Sequence, residues 1–438
     1  MADRDLKTVA RRIFQQTLAA IDIGSAIARR LERSGSRIRA GSGEIDLRDF
    51  DEVVAIAFGK ASVAMAEGFQ AALGPDFRAE GILVRPSLSA RELRGWKTFV
   101  GGHPLPTAES FAAGKAILER LARCGEKSLV VLLISGGGSS MVEMPLDAGV
   151  GLADFQALHA ALVTCGAPIE EINIVRKHLS ATKGGRLAAA APRAMKLTLA
   201  VSDVPGGYES ALASGPTLPD PSTVADAERV LNEYGVLAKL PAALRDIFAQ
   251  RRIPETPKEN DPVFARNVFS VILGEHDLVH RAHQCCEAEG IFCMADDQTD
   301  GWTLEKAADE LLTQLEALQR DCPGKRVAIL SGGELSSPVT GDGIGGRNSA
   351  FVLTCVPKIA GRGIVVLSAG TDGIDGNSMA AGAVANGETF GRAAKMGMDL
   401  AEYLRRSDAF SFFEKLEDMV VTGPTGNNLR DLRILISG

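Results

Sequence analysis

Residues 128–140 read Ser-Leu-Val-Val-Leu-Leu-Ile-Ser-Gly-Gly-Gly-Ser-Ser. Leu129 to Ile134 form an unbroken apolar run with β-branched Val130, Val131 and Ile134. Such a run predicts a strand buried on both faces, as in a parallel sheet. It stops at Ser135 and three glycines, Gly136, Gly137 and Gly138. Without Cβ atoms the main chain there can turn sharply and admit a ligand. Backbone N–H groups converge on an anion in such turns, and the Ser139 and Ser140 hydroxyls add donors. The plainer alternative is a tight strand-exit turn.

The pattern repeats outward. Val53–Phe58 is a second strand, followed by Gly59-Lys60 and an alanine-rich helix over 61–73. Further strands are expected at 81–85, 197–201, 268–273, 291–294, 326–330, 364–367 and 432–436, and helices at 110–124, 154–165, 169–182, 277–289 and 303–320. Six strands end in small or polar residues: Gly59-Lys60, Ser135-Gly-Gly-Gly, Ser202-Asp203, Ser331-Gly-Gly-Glu334, Ala369-Gly-Thr-Asp372 and Thr422-Gly-Pro-Thr. In open α/β sheets the carboxyl ends of strands form the ligand crevice. The alternation of strands and helices predicts an α/β protein of two domains with largely parallel sheets. Prolines 254, 257 and 262 among charges place a linker at 252–262, with domains at 1–251 and 263–438.

Composition narrows the function. The chain has 438 residues, 45% of them apolar, enough for two cores. Its 48 basic and 55 acidic residues give a net charge of −7, which argues against a nucleic-acid surface. The seven cysteines are scattered with no CxxC, the pattern of reduced cytosolic thiols, and the expected location is the cytoplasm. Residues 1–21 mix charges with apolar residues and do not read as a signal peptide. No run approaches the ~20 apolar residues of a membrane span. There is no G-x-x-x-x-G-K-[ST], no G-x-G-x-x-G after a strand, no H-E-x-x-H and no G-x-S-x-G.

Individual residues carry two readings each. Lys60 at a helix start opposes the helix dipole, so it either pairs with a bound phosphate or is merely solvated. On the helix at 169–182, Asn173, Arg176, Lys177, Ser180 and Lys183 make a polar face, either an anion site or a solvated surface. Asp203, Asp372 and Asp375 either cap turns or serve a metal or substrate hydroxyl. Arg347, within Gly341-Asp-Gly-Ile-Gly-Gly-Arg-Asn348, looks like a charge brought to a ligand by a conformable loop. His103 reads as structural.

Several motifs resemble the glycerate 2-kinase family. In the first half these are Gly-Gly-His-Pro-Leu-Pro (101–106), Leu-Ile-Ser-Gly-Gly-Gly-Ser (133–139), Asn-Ile-Val-Arg-Lys-His-Leu-Ser-Ala-Thr-Lys-Gly-Gly-Arg (173–186), and Val-Ser-Asp-Val with Ala-Ser-Gly-Pro-Thr-Leu-Pro-Asp-Pro. The second half resembles that family's C-terminal MOFRL domain through Leu-Ser-Gly-Gly-Glu (330–334), Gly-Gly-Arg-Asn (345–348), Ser-Ala-Gly-Thr-Asp-Gly-Ile-Asp-Gly (368–376) and Thr-Gly-Pro-Thr-Gly-Asn-Asn-Leu-Arg-Asp-Leu (422–432). The resemblance implies an N-terminal Rossmann-like domain and an active-site cleft between the two domains. It implies phosphorylation of D-glycerate to 2-phosphoglycerate with ATP and Mg2+, Mn2+ being an alternative. Lys60, Asp203 and Arg347 are the catalytic residues so implied. Ser135, Gly136, Gly137, Gly138, Ser139 and Glu334 are expected on the nucleotide, Arg176, Lys177 and Asn348 on the substrate, and Asp372 on the metal. Departures are Ser349 and Ala350 where Gln and Glu are usual, Leu335 where Thr is usual, and Gly274-Glu-His-Asp where an Asn is common. Rival readings are a hydroxypyruvate reductase-type oxidoreductase and a non-catalytic sugar-acid sensor. A homo-oligomer is compatible with the sequence, and no nucleic-acid or membrane partner is expected.

Overall fold

The computed structural model describes residues 5–31, 33–40, 43–74, 80–87 and 92–438. The first four residues of the stretch 1–21, weighed as a signal peptide, lie outside the described residues. The chain forms two compact units, Ile23–Ile272 and the segment up to Asp22 together with Leu273–Gly438.

In the unit Ile23–Ile272 a six-stranded sheet runs in the order Trp96–Val100, Glu80–Arg85, Glu52–Phe58, Ser128–Ser135, Met195–Val201, Asn267–Leu273. The first five strands pair parallel. Every residue of Ser128–Ser135 is buried, as its unbroken apolar run predicts. Counted along the chain, the strand order is 3-2-1-4-5-6. The order reverses between Glu52–Phe58 and Ser128–Ser135, where such sheets open a crevice beyond their carboxyl ends. Four helices, Leu152–Val163, Ile169–Leu179, Val224–Glu233 and Ala242–Ala249, make a separate core. Ile172, Val175 and Leu179, three or four residues apart on one helix face, are buried in it. A small antiparallel sheet of Arg33–Ser34, Arg37–Ala40 and Gly43–Asp46 was not anticipated.

In the other unit the sheet order is Phe292–Asp296, Val327–Ser331, Asp431–Ser437, Ile364–Gly370, Gly382–Asn386, Met419–Val420. The first pair is parallel and the remaining pairs are antiparallel. This corrects the expectation of a largely parallel second sheet. A strand buried on both faces reads the same in either sense, so Leu432–Ile436, apolar but for Arg433, could not report its direction. The strand Gly382–Asn386 was missed because its Ala-Val-Ala core is short and has little β-propensity.

The domain boundary also differs from expectation. Residues 252–262 pack within the first unit: Pro257 accepts from the Asp220 N–H at 3.0 Å and Thr256 donates to Asp220 at 3.0 Å. Proline removes a donor and fixes φ, which suits an extended packed segment as well as a linker. The helix Leu6–Ala20 belongs with the C-terminal unit, where Lys7 pairs with Asp418 at 2.7 Å and Arg12 with Glu289 at 2.5 Å. No helix among the described residues is long and apolar enough to cross a membrane.

Candidate active site

The order reversal in the first unit sets three predicted groups side by side. Phe58 is in register with Ile134, and Ser135 with Val201. Gly59-Lys60, the glycine loop 136–138 and Ser202-Asp203 therefore leave adjacent strands at one sheet edge, at the roughly 4.8 Å strand spacing. Hydrogen bonds tie the first two. The Lys60 N–H donates to the Gly136 carbonyl at 2.8 Å, and the Ala61 N–H to the Ser135 hydroxyl at 3.0 Å. Lys60 and Asp203 are half-buried.

Gly137 adopts φ +79, and a Cβ there would stand 3.3 Å from Lys60 Cγ, 3.3 Å from Met141 Cε and 3.5 Å from His103 Nδ1. The loop is thus walled by the lysine stem and an imidazole. His103 itself pairs with the Ser140 hydroxyl at 3.2 Å. Ser139 meets the Ser214 hydroxyl at 2.8 Å, which anchors the far side of the loop.

The polar face of the helix Ile169–Leu179 is less open than its spacing suggests. Lys177 is buried and paired with buried Asp220 at 3.2 Å. Lys183 and Glu143 form a buried pair at 2.5 Å, and Ser180 donates to the same carboxylate. Burial pulls the Lys183 pKa down and Glu143 offsets part of that fall. These ammonium groups are committed within the fold, which corrects the reading of Lys177 and Lys183 as an exposed cationic face. Arg176 differs. Burial lowers its pKa, and its Nε has no hydrogen-bond partner among the described residues. His159, close enough to feel the Arg176 charge, is 2% exposed, with both ring nitrogens unpartnered among the described residues. Burial, then the Arg176 and Lys183 charges, push its pKa down to about 3, so it is neutral.

In the second unit, Ser331 is in register with Arg433 and Gly370 with Asp431. Glu334, Asp372 and Asp431 therefore lie at one edge of that sheet. Arg347 opens the helix Arg347–Cys355 and is gripped by two carboxylates, Asp431 through Nε at 2.5 Å and Glu334 through NH2 at 2.7 Å. Burial works against its charge, but Asp431 first and Glu334 next outweigh it and raise the pKa. Asn348 is buried and accepts from Ser368 at 2.6 Å. Asp375 takes the N–H groups of Asn348 and Ser349, each at 2.9 Å, so it caps this helix. Burial nonetheless raises its pKa.

Among the described residues no three His, Cys, Asp or Glu side chains converge as a metal cage. Asp372 offers one half-buried carboxylate, whose Oδ1 also accepts from the Ile374 N–H at 3.1 Å. An oxygen donor of this kind suits a hard cation that keeps most of its water and takes further ligands from phosphate.

Sequence reasoning missed Asp431, Glu143 and His159. Asp431 had a signal: a carboxylate placed immediately before Leu432–Ile436, a strand apolar but for Arg433.

Comparison with known proteins matches residues 9–249 to a family model described as a domain of unknown function, DUF4147, and residues 327–431 to the MOFRL family. The chain is 35% identical over 392 residues to the D-glycerate 2-kinase of Thermotoga maritima, covering 88% of this chain and 91% of that one. It is 36% identical to a putative hydroxypyruvate reductase of Agrobacterium vitis over all of this chain and 95% of the relative. A crystal structure of glycerate kinase from Thermotoga maritima superposes with a TM-score of 0.83 at 32% identity, over 99% of both chains. A two-part architecture, an ordered motif set and near-complete coverage of these relatives agree, and the chain belongs to the glycerate 2-kinase family.

Proposed function

We propose that the chain transfers a phosphoryl group from ATP to the 2-hydroxyl of D-glycerate, giving 2-phosphoglycerate. The observation that carries this reading is the hydrogen-bonded pairing of Lys60 with the glycine loop where the strand order reverses. Phosphoryl transfer asks a protein mainly for positioning and charge. The loop 135–139 cradles donor phosphates, and Lys60, whose Cγ borders the loop at Gly137, brings a point charge to it. Arg347 supplies a planar, always-charged fork to the transferred phosphoryl group, held in place by Glu334 and Asp431. Asp203 orients the glycerate hydroxyl and takes its proton. Arg176 fits the substrate carboxylate better than Lys177 does, because the Lys177 charge is already matched by Asp220. Asp372 would hold magnesium through water, and the ion would supply charge neutralisation on the phosphate oxygens. The test is incubation with D-glycerate and ATP followed by phosphorus NMR of the product. A 3-phosphoglycerate signal would overturn the regiochemistry, and no phosphorylated product would overturn the reading.

A second reading, reduction of hydroxypyruvate, has the 3-2-1-4-5-6 strand order in its favour, since dinucleotide-binding sheets share it. Against it, the turn after Glu52–Phe58 carries Gly59-Lys60 in place of the glycine fingerprint such sites use. NADH oxidation in the presence of hydroxypyruvate separates the two.

A further inference from the structure

The two carboxylates that grip Arg347 are themselves set by a second cluster, Glu275, Asp300 and Arg430. Asp300 accepts the backbone N–H of Glu334 at 2.8 Å. The same carboxylate takes Arg430 in a fork, NH2 at 2.7 Å and NH1 at 2.9 Å, and Glu275 accepts from that NH1 as well at 2.6 Å. Arg430 directly precedes Asp431 and holds φ +70, a conformation few residues other than glycine adopt. Its carbonyl accepts from the Thr371 N–H at 3.0 Å and hydroxyl at 2.7 Å, which fixes the residue before Asp372. Gly333, at φ +80, would place a Cβ 2.6 Å from Asp300 Oδ1. The second glycine of Ser331-Gly-Gly-Glu334 therefore makes room for a carboxylate of this cluster. Glu275 lies in the Gly274-Glu-His-Asp stretch, one of the places where the chain departs from the family pattern.

We propose that the Arg430–Asp300 pair is a positioning device for Arg347. One carboxylate, Asp300, fixes the main chain of Glu334 and, through Arg430, the main chain of Asp431. Both grips on Arg347 then share one origin, and Glu275 locks it. A bidentate arginine–carboxylate pair suits this task because its geometry is planar and directional. Neither Arg430 nor Asp300 touches the reacting groups. The proposal rests on the reading of Arg347 as a phosphoryl-contacting residue.

Asp300→Asn is nearly isosteric and keeps an acceptor for the Glu334 N–H while losing its charge. It should lower kcat roughly 10–100-fold, the scale of a small misplacement of a remote group. KM for glycerate and the melting temperature should stay close to wild type. In the Arg347→Ala background the same change should cause no further loss, because the two act as a unit. Arg430→Gly, which accepts the positive φ, should lose as much kcat as Arg430→Ala, and Arg430→Lys should not rescue. Should Asp300→Asn fold poorly, Glu275→Gln provides the same non-additivity test with a smaller loss. A slow Arg347→Ala enzyme beside an Asp300→Asn or Glu275→Gln enzyme of wild-type kcat overturns the positioning role alone, as does full additivity of the two changes. Wild-type turnover in Arg347→Ala overturns the reading of Arg347 and this proposal with it.

Discussion

The Lys60 backbone N–H donates to the Gly136 carbonyl across 2.8 Å, so the lysine turn and the glycine loop form one hydrogen-bonded piece. The tie uses the main chain, so the ammonium group can be varied without breaking it. Lys60→Ala should preserve the loop and remove only the charge. Turnover should fall roughly 10²–10³-fold, as when a preorganised transition-state donor is lost. Steady-state kinetics with circular dichroism checks this; near-normal kcat in a folded variant would take Lys60 out of the mechanism.

Gly137→Val places a branched side chain at φ +79 against Lys60, Met141 and His103. Holding the left-handed region costs a non-glycine residue about 1–2 kcal/mol, a loss the fold can absorb. Nucleotide affinity should drop at least tenfold, about 1.4 kcal/mol. Isothermal titration with ATP measures it, and unchanged affinity would place the phosphates elsewhere.

Chelation should abolish activity and added Mg2+ or Mn2+ should restore it, since Asp372, the metal donor we propose, offers an oxygen ligand that suits hard cations. Asp372→Asn should raise the Mg2+ concentration needed for half-maximal rate and leave the maximal rate less affected. Full activity in EDTA would remove the metal from the reaction.

His159 gives a pH signature of stability. Its pKa is about 3 in the folded chain against an ordinary 6.5, because burial and then Arg176 and Lys183 disfavour its charge. The unfolded chain therefore binds the proton first as pH falls. The stability contribution is complete above about 6.5 and is lost progressively down to about 3. His159→Phe, beside Phe155 at a ring distance of 6.2 Å, should lose less stability than wild type between pH 8 and pH 5. Urea midpoints at the two values decide it; equal drops would mean that His159 finds a proton partner in solution.

The first sheet was legible because both its burial and its strand-end turns are written locally. Leu129–Ile134 announces a strand, and Ser135-Gly-Gly-Gly announces a turn that a ligand can approach. The pairing of Lys60 with that loop was not legible, since strand order depends on contacts far apart in sequence. Lys177 misled for the same reason: its spacing fixes a helix face, but Asp220, which takes its charge, sits forty-three residues away. In the second unit the glycine setting of Arg347 marks it as a candidate, while Asp431 and Asp300 sit in charged stretches that read equally well as surface. Asp375 took its simpler reading, a helix cap.

The helix Leu6–Ala20 packs against the strands Ile364–Gly370, Gly382–Asn386 and Asp431–Ser437, with Val9, Ile13 and Phe14 at most 2% exposed. In the order of synthesis this helix precedes Ile23–Ile272, and all three strands that cover it follow that span. At about 5–20 residues per second, the intervening Ile23–Ile272 alone takes on the order of ten seconds or more to emerge. Through that interval the helix's apolar face has no native partner. The second unit thus cannot close on this helix until Ile23–Ile272 has been made, and any chaperone that attends this chain has its natural target in the helix Leu6–Ala20.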